Sequence, residues 1–329
     1  MPKSKDRILV TGASGFLGAW VVRELIRREV PCVLFDRDPE LRRLDDLVPG
    51  RPDHIPVETG DIADLDTVLD VVRRHKPNAV IHLAALQIPF CRPNPMNGAR
   101  VNVLGTLAVF EAARQLESIR QIVYASSAAV IGPEEYYQGK TVTDDSPLAP
   151  ATHYGVFKQA NEGSARVYFQ DHGISSIGLR PWTVYGLGRD QGITSDATRA
   201  IKAALLGRPY TLRYSGRNAL QYARDVAAAF VLCALDSRQV GKTFNLRGDV
   251  IEMADFIRTL EDLLPQSKGL IQLSGGPIPV ACDLDDAELR RFLPALPRTS
   301  IAQGIEQTLA DFRRLQKEGR LSTHDLENS

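Results

Sequence analysis

The strongest restriction on the fold of this chain lies near its N-terminus, where a short apolar run leads into a glycine-rich turn. The apolar run covers residues 8–10, and residues 16–30 after the turn carry apolar side chains at helical spacing. These side chains belong to Phe16, Leu17, Trp20, Val21 and Leu25. A second apolar run follows at residues 32–35. The segment is therefore predicted to be a βαβ unit.

The same alternation of short apolar runs and helical stretches continues as far as Pro181. Further strands are predicted at residues 54–57, 79–84, 121–125 and 176–179, and helices at residues 64–75, 95–115 and 154–171. Parallel strands need crossover connections, which place helices on both faces of the sheet. The chain is therefore predicted to adopt an α/β fold with a Rossmann-type, doubly wound parallel sheet.

The regular alternation weakens after Pro181, where glycine-rich loops and a proline-rich stretch replace it. We predict a first domain at residues 1–180 and a smaller α/β lobe at residues 181–316. The prediction leaves open that a strand and a helix of this lobe return to the first domain. Residues 317–329 form a polar tail, which we expect to fray.

The composition excludes several classes of protein. Forty basic and forty acidic residues cancel, so there is no net positive field to attract a phosphate backbone, and nucleic acid is not expected as a partner. The four cysteines form no CxxC pair, which favours reduced thiols over a zinc site or a disulfide framework. No segment has the pattern of a signal peptide or a membrane span. We therefore expect a cytoplasmic protein without a membrane partner.

Three glycines in the first turn have the spacing of a dinucleotide-binding loop. Gly12 permits the tight turn, Gly15 lets the backbone approach a pyrophosphate, and Gly18 lets the helix pack closely on the strand. Backbone N–H groups at the start of the helix, at Phe16 and Leu17, then face the phosphates. The pattern predicts a nicotinamide dinucleotide site, and a glycine-rich turn without a ligand is the alternative.

Acidic residues at the ends of the next two strands refine this site. Asp36 can accept hydrogen bonds from both ribose hydroxyls, which favours NAD, whereas the adjacent Arg37 keeps NADP possible. Asp61 is placed to reach the adenine amino group, and Ile62 is placed to cover the ring. The alternative for Asp61 is an Asx turn or a helix N-cap.

A tyrosine, a lysine and a serine form the candidate catalytic set. Tyr154 and Lys158 are four residues apart, so a helix places them on one face, where a nearby ammonium stabilises a phenolate. Ser126 and Ser127 directly follow the strand predicted at residues 121–125. Because the carboxyl ends of parallel strands border the ligand crevice, we expect Ser127 to meet Tyr154 beside the nicotinamide.

The order of these motifs resembles the extended short-chain dehydrogenase/reductase (SDR) superfamily, specifically its NAD-dependent epimerase/dehydratase branch. The matching segments are TGASGFLG at residues 11–18, GDI at 60–62, HLAA at 82–85, NVLGT at 102–106, SSA at 126–128, YGVFK at 154–158 and RP at 180–181. They occur in order over slightly more than the first half of the chain, and together they are highly specific.

The resemblance implies a role for each matching residue. Tyr154 is the implied general acid/base, Lys158 lowers its pKa and holds the nicotinamide ribose, and Ser127 hydrogen-bonds the reacting oxygen. The further residues implied to lie against the cofactor are Leu83, Ala84, Ala85, Asn102 and Pro181. The resemblance also implies a homodimer that forms through the helices predicted at residues 95–115 and 154–171.

Departures from the family pattern argue against a nucleotide-sugar substrate. Ala128 and Ala129 stand where the 4,6-dehydratases carry acids, so 4,6-dehydration is not expected. Thr183 and Asn218 stand where nucleotide-sugar epimerases commonly carry an asparagine and an arginine for the diphosphate, although Arg217 is adjacent.

Polar residues near the predicted site suit a free sugar, a lactone or a sugar acid. The candidate substrate residues are Gln87, Ser126, Thr183, Tyr185, Arg189, Gln191, Arg213 and Gln221. For each of them a surface-loop role is the alternative. Trp182 can stack on a sugar face or belong to the core. His82 and His153 have no partners at metal-site spacing, so we expect packed histidines and no metal.

Three functions are consistent with these residues. The first is an NAD(P)-dependent dehydrogenase of a sugar or sugar-derived alcohol, in which cofactor turns over. The second is a sugar epimerase, including a nucleotide-sugar epimerase, in which the hydride returns to the other face of a keto intermediate. The third is a non-catalytic NAD(P) sensor, which the presence of both Tyr154 and Lys158 disfavours.

Overall fold

A computed structural model describes residues 6–327 of the chain. The elements of the first half are β1 (Ile8–Thr11), α1 (Phe16–Arg27), β2 (Cys32–Asp36), α2 (Arg42–Leu47), β3 (Val57–Thr59), α3 (Leu65–His75), β4 (Ala79–His82), α4 (Ile88–Cys91), α5 (Pro95–Ala99), a π-helical segment (Arg100–Leu104), α6 (Gly105–Gln115), β5 (Gln121–Ala125) and α7 (His153–His172). Short 3₁₀ turns at Ala128–Val130 and Glu134–Tyr137 lie between β5 and α7.

The second half continues with seven strands and six α-helices in the described part of the chain. These elements are β6 (Ser176–Arg180), β7 (Thr183–Tyr185), α8 (Asp196–Leu205), β8 (Tyr210–Leu212), β9 (Arg217–Tyr222), α9 (Ala223–Leu235), β10 (Gly241–Asn245), β11 (Asp249–Glu252), α10 (Met253–Leu263), β12 (Ile271–Leu273), α11 (Ala287–Phe292), α12 (Ile301–Lys317) and α13 (His324–Glu327). Within residues 6–327, no helix is long and apolar enough to cross a membrane.

The central sheet has seven strands in the order β10-β6-β5-β4-β1-β2-β3. Every neighbouring pair is parallel, and β1 sits between β2 and β4, with Ile8 opposite Cys32 on one side and Ala79 on the other. The predicted doubly wound α/β fold is confirmed. Since the strand order reverses beside β1, the carboxyl ends of β1, β4 and β5 border a crevice.

The sheet is buried on both faces, as a parallel sheet requires. All four residues of β1 and of β4 are buried. One hydrophobic core packs against α1 and α9 and includes Trp20 and Phe230, while a second core on the opposite face includes Phe35 and Phe110. The rigid layer between these two cores fixes the strand ends that carry the site.

Two local predictions need correction. The third strand covers residues 57–59 rather than 54–57. The helix predicted at residues 95–115 is divided into α5, the π-helical segment and α6. Asn94 caps α5 by accepting a hydrogen bond from the Asn97 N–H. A wider π turn frequently marks a functional site, and this one contains Asn102.

The residues after Pro181 contribute one strand to the central sheet and also form smaller sheets of their own. Strands β7, β9 and β11 form a separate three-stranded sheet, whereas β10 joins the central sheet beside β6, and α9 packs on α1. The division of the chain at residue 180 remains a prediction. The expectation that the tail frays is wrong for residues 318–327, because Asp325 pairs with Lys202 at 2.7 Å and Arg320 pairs with Asp46 at 2.7 Å.

Candidate active site

The first turn has the backbone geometry that its glycines predict. Gly12 has a φ of +70°, and a Cβ atom on it would lie 2.7 Å from the Ala84 backbone nitrogen. A Cβ atom on Gly18 would lie 2.2 Å from the Gly12 carbonyl oxygen. Both positions therefore exclude every other residue, and the turn lies directly against the segment that follows β4.

The N-terminus of α1 fits the pyrophosphate of a dinucleotide. Gly15 is the N-cap, no side chain caps the helix, and its first turn contains no acidic residue. The N–H groups of Phe16 and Leu17 at this end lack side-chain partners, and the helix dipole adds partial positive charge there. The free backbone N–H donors and the partial positive charge at this end of α1 therefore suit a diphosphate.

Asp36 is held at the end of β2 by a residue that the sequence did not single out. Its Oδ2 accepts hydrogen bonds from the Ser14 backbone N–H at 3.0 Å and from the Ser14 hydroxyl at 2.6 Å. Its Oδ1 accepts from the Arg37 N–H at 2.8 Å. Arg37 itself is exposed. In the sequence, only the position of Ser14 between Gly12 and Gly15 indicated that it contacts Asp36.

Asp61 adopts the structural alternative considered from the sequence. Asp61 forms an Asx turn by accepting from the Ala63 N–H at 2.9 Å, and it pairs with Arg100 at 2.7 Å. Ile62 is buried, and its side chain packs against Gly105. Their contacts with adenine remain predictions.

Asn102 fixes the loop between β4 and α4. Its side-chain oxygen accepts from the Leu86 N–H at 2.7 Å, and its amide donates to the Leu86 carbonyl at 2.9 Å. Its own carbonyl accepts from Asn161 at 3.0 Å and from the Thr106 hydroxyl at 2.7 Å. Asn102 therefore positions residues 83–86, the predicted cofactor wall, from the π-helical segment.

His82 ties β1 to α6. Its ring nitrogens lie 2.7 Å from the Thr11 hydroxyl and 3.1 Å from the Thr106 hydroxyl. Burial lowers the pKa of His82 to about 3, so the imidazole is neutral at physiological pH. His82 is a packing residue of the sheet.

Ser126 and Ser127 point to different partners. Ser126 is buried and donates to Glu162 at 2.5 Å. Ser127 is half-buried, and its oxygen accepts from the Ala129 N–H at 3.1 Å. The adjacent Ala128 N–H donates to the Pro181 carbonyl at 2.9 Å. The structure therefore places Ser127, and not Ser126, at the crevice.

Helix α7 presents Tyr154 to Ser127. Thr152 caps the helix by accepting from the Gly155 N–H at 3.1 Å. A Cβ atom on Gly155 would lie 2.2 Å from the Ala129 carbonyl oxygen, so this glycine allows the first turn of α7 to touch the segment after Ser127. Ser127 lies close enough to Tyr154 for its hydroxyl to lower the pKa of the phenol.

Two cations, Lys158 and Arg189, lie beside Tyr154. Burial raises the pKa of Tyr154, while the Ser127 hydrogen bond and the charge of Arg189 oppose this rise. The Lys158 ammonium lies 5.6 Å from the Tyr154 ring centre and donates to the Ala125 carbonyl at 2.6 Å. Burial lowers the pKa of Lys158 to about 8. That Lys158 lowers the tyrosine pKa stays a prediction, and Arg189 is a second cation that lowers it.

Arg189 enters this site from the loop after β7, and its neighbours form what we call the Arg189 cluster. Its guanidinium donates to Thr194 at 2.8 Å and to Gln87 at 3.4 Å, and its Cζ lies 5.6 Å from the Phe16 ring centre. The Arg189 cluster comprises Gln87, Tyr154, Arg189 and Thr194. The Nε atom of Arg189 is buried and has no hydrogen-bond partner.

Several candidate substrate residues lie elsewhere. Tyr185 is in the hydrophobic core, where its ring packs against Tyr222 and a Cβ atom on Gly304 would contact its hydroxyl. Thr183 is fully buried without a hydroxyl partner. For these two residues, as for Ser126, a direct substrate contact is not supported, because burial in the protein interior separates them from the crevice.

Others are engaged in structural contacts. Gln221 is buried and binds the backbone of Trp182 and Leu246. Arg213 pairs with the fully buried Asp196 at 2.6 Å. The Trp182 indole donates to the Ala281 carbonyl at 2.9 Å and packs in a small core. Gln191 is exposed. Of the candidate set, Gln87 and Arg189 lie at the crevice with Tyr154.

A buried ion pair lies behind the catalytic strand, and we call it the Arg180 cluster (Ser126, Glu162, Arg180 and Asn245). Arg180 donates two hydrogen bonds of 2.8 Å to Glu162. Its remaining nitrogen donates to Asn245 at 3.2 Å and to the Asp144 carbonyl at 3.0 Å. Glu162 lies one helical turn beyond Lys158, so the cluster joins α7 to β6 and β10.

Comparisons with known proteins agree with this geometry. The sequence profile of the NAD dependent epimerase/dehydratase family matches residues 8–246. The UDP-glucose 4-epimerase of Azospirillum brasilense is 30% identical over 284 residues, which cover 79% of this chain and 78% of that protein. The uronate dehydrogenase of Pseudomonas syringae pv. tomato is 30% identical over 208 residues, which cover 61% of this chain and 70% of that protein.

A solved structure resembles nearly the whole molecule. The UDP-glucose 4-epimerase of Thermus thermophilus, solved in complex with NAD, is 25% identical. It superposes with a TM-score of 0.77 and covers 93% of this chain and 99% of that one. The similarity thus extends beyond the glycine turn to the C-terminal elements.

Proposed function

This chain belongs to the NAD-dependent epimerase/dehydratase family of the extended SDR enzymes, and from that premise we propose that it is a dehydrogenase of a sugar or sugar acid. The family makes it an NAD-dependent enzyme that moves hydride at a hydroxyl-bearing carbon. The observation that carries the proposal is the meeting of Ser127 and Tyr154 at the carboxyl end of β5, beside Lys158 and close to the glycine turn.

The residues around the turn fit the cofactor. The uncapped N-terminus of α1 supplies donors for the pyrophosphate, and Asp36 supplies acceptors for the ribose, which favours NAD over NADP. The residues proposed to hold NAD are Gly12, Gly15, Phe16, Leu17, Gly18, Asp36, Arg37, Asp61, Ile62, Leu83, Ala84, Ala85, Asn102, Tyr154, Lys158 and Pro181. When bound, the nicotinamide accepts or returns a hydride.

The chain's own residues then handle the proton. Tyr154 takes the hydroxyl proton during oxidation and returns it during reduction. Ser127, beside the Tyr154 phenol, donates its O–H to the reacting oxygen when substrate is bound and stabilises that oxygen as the carbonyl forms. Arg189 supplies the positive charge that favours the phenolate form of Tyr154. Lys158 remains close enough to bind a ribose hydroxyl.

An epimerase is the second candidate, and the relatives favour it. The epimerase of A. brasilense matches more of this chain than the uronate dehydrogenase does, 79% against 61%. An epimerase uses the same Ser127, Tyr154 and Lys158, but the hydride returns to its substrate. The two candidates therefore differ in whether NADH accumulates.

One experiment separates the candidates. The purified chain is incubated with NAD or NADP and a panel of free sugars, uronic acids and nucleotide sugars. A dehydrogenase gives a rise in absorbance at 340 nm that continues beyond one equivalent of enzyme. An epimerase gives a new epimer by chromatography without net absorbance change. If neither product forms with any member of the panel, the proposed function is wrong.

We also propose a homodimer that forms through α5, α6 and α7. Large apolar side chains are exposed on and beside these helices, and Met96 is 81% exposed. The others are Phe90, Leu104, Val156 and Val167. Apolar surface of this kind is typical of an interface. Light scattering of the wild type and of Met96→Glu tests this assembly, and a monomeric wild type contradicts it.

A cytoplasmic location remains part of the proposal. The four cysteines are all buried and free, which suits a reducing compartment. Fractionation of cells that express the full chain tests the location.

A further inference from the structure

Building on the proposed function, we propose that Arg189 binds a carboxylate of the substrate, attached close to the carbon that is oxidised. The candidate ligand is thus a sugar acid of the hexuronate class, and Arg189 selects it against the neutral sugar. The inference concerns substrate class and not the hydride chemistry itself. It rests on the position of Arg189 and on the partner that its side chain lacks.

Arg189 is a half-buried cation without an anion. In the part of the chain that the structure describes, no carboxylate lies within ion-pair distance of its guanidinium; the adjacent Asp190 pairs with Arg43 at 2.8 Å instead. Tyr154 and Tyr214, whose phenols lie near Arg189, are neutral because burial raises the pKa of both. A buried charge is costly without a counter-ion, so the missing anion is expected from a ligand.

One edge of the Arg189 guanidinium lacks a hydrogen-bond partner among residues 6–327. Thr194 and Gln87 accept from its two terminal nitrogens, whereas Nε has no partner and no exposure to solvent. An arginine binds a carboxylate most strongly through two parallel N–H donors. Nε together with one terminal nitrogen provides such a pair.

The position of Arg189 relates this anion to the reacting carbon. Its charge acts on Tyr154, the proposed acid/base, and its Cζ lies 5.6 Å from the Phe16 ring at the start of α1. A group bound on this guanidinium lies between the acid/base and the glycine turn. A carboxylate on a carbon close to the oxidised one meets this requirement, whereas a diphosphate separated from that carbon by a sugar ring does not.

The experiment uses the full chain and pairs of acid and neutral probes. The pairs are D-galacturonate with D-galactose, D-glucuronate with D-glucose, and UDP-glucuronate with UDP-glucose. Turnover is measured by absorbance at 340 nm and by epimer analysis, for the wild type and for Arg189→Gln. We expect the wild type to prefer the acid of a pair, and Arg189→Gln to lose about 10- to 100-fold more in kcat/KM for the acid than for the neutral sugar, because the weaker support of the Tyr154 phenolate affects both substrates equally.

Matched variants separate the charge of Arg189 from the shape of its loop. Arg43→Gln removes the ion pair with Asp190 in the same loop but leaves Arg189, so it should keep the preference for the acid. Arg189→Lys retains the charge without the planar fork and should show an intermediate loss. NADH affinity, measured by fluorescence, should be unchanged in Arg189→Gln.

Each result has a defined meaning. Equal turnover of acid and neutral sugars by the wild type overturns the inference, and so does an equal loss for both in Arg189→Gln. A loss of NADH affinity in that variant assigns Arg189 to the cofactor instead. Binding of hexuronate to NADH-loaded Tyr154→Phe, measured by calorimetry, tests the anion site without turnover. Binding that Arg189→Gln abolishes there supports the site even where the proposed reaction fails, and absence of binding overturns it.

Discussion

The Arg180 cluster and the Arg189 cluster place a buried and a half-buried arginine in opposite surroundings. Arg180 donates to Glu162 through two hydrogen bonds of 2.8 Å and uses its remaining nitrogen on Asn245 and a backbone carbonyl. Among residues 6–327, Arg189 has only a threonine and a glutamine as acceptors and keeps one buried nitrogen unpaired. Arg180 ends β6, whereas Arg189 lies in the loop after β7. The difference therefore comes from what packs around each side chain.

The difference separates a structural charge from a functional one. A buried ion pair with complete hydrogen bonding holds elements together, and its removal affects folding. A half-buried cation that lacks an anion gains its partner only when a ligand binds, and its removal affects binding. We therefore expect variants of the Arg180 cluster to change stability and variants of the Arg189 cluster to change activity.

The largest expected effect concerns stability in the Arg180 cluster. Glu162→Gln leaves Arg180 as an uncompensated buried charge and should lower the free energy of unfolding by about 3–5 kcal/mol. Urea denaturation measures the change. Glu288→Gln is the matched control, since Glu288 pairs with Lys242 on the surface at 3.2 Å, and it should change stability little. If both variants lowered the free energy of unfolding equally, the Arg180 cluster would not be a special source of stability.

The next effect concerns turnover in the Arg189 cluster. Tyr154→Phe removes the proposed acid/base and should lower kcat at least about 100-fold, while NADH binding and the unfolding midpoint stay close to those of the wild type. Steady-state kinetics, fluorescence titration and thermal melting measure these three quantities. Retention of kcat in this variant would mean that another group transfers the proton.

A pH profile tests the charge of Lys158, which is buried between the two clusters. Its pKa of about 8 lies below the ordinary value, so the ammonium loses its proton as pH rises through 8. The titratable groups that act on it are Cys91 and Glu162. We expect kcat/KM for reduction to fall above pH 8, because Tyr154 is still protonated there while Lys158 becomes neutral.

Lys158→Arg is the control for this profile. A guanidinium remains charged through this range, so the fall above pH 8 should disappear even if the overall rate is lower. A wild-type profile that stays flat from pH 7 to 10 would show that the ammonium is not required.

The smallest expected effect concerns Asp36. Its carboxylate has hydrogen-bond donors, as Arg180 has acceptors, but none of these donors is a charged group. Ser14→Ala removes the 2.6 Å hydrogen bond to the carboxylate and should weaken NADH binding about 3- to 10-fold, in line with one hydrogen bond. Ser14→Thr keeps the hydroxyl and should bind nearly as well. Unchanged binding in Ser14→Ala would show that β2 alone orients Asp36.

The parts of the site that follow from short-range patterns were predictable from the sequence. The spacing of Gly12 and Gly18 predicted a turn whose close contacts the structure contains. The four-residue step from Tyr154 to Lys158 and the strand before Ser127 likewise predicted their meeting, because helix periodicity and parallel pairing determine both.

The remaining parts depend on contacts between distant segments. Tyr185 follows a motif that borders the site, yet packing against α12, where Gly304 makes room for its ring, buries it in the core. Ser126 and Ser127 look equivalent in sequence, and the direction of each is decided by Glu162 on α7. Arg189 reaches Tyr154 because of a loop whose shape no periodic pattern encodes. The sequence therefore indicated one cation at the acid/base, Lys158, and the structure adds Arg189.

The most direct test of the contrast is a crystal structure of Tyr154→Phe with NAD and a hexuronate bound. The account predicts that the Nε of Arg189 donates to a carboxylate oxygen of the ligand, while Arg180 keeps both hydrogen bonds to Glu162. A hexuronate bound with its carboxylate away from Arg189, or an Arg189 Nε paired with a residue of the chain, would contradict it.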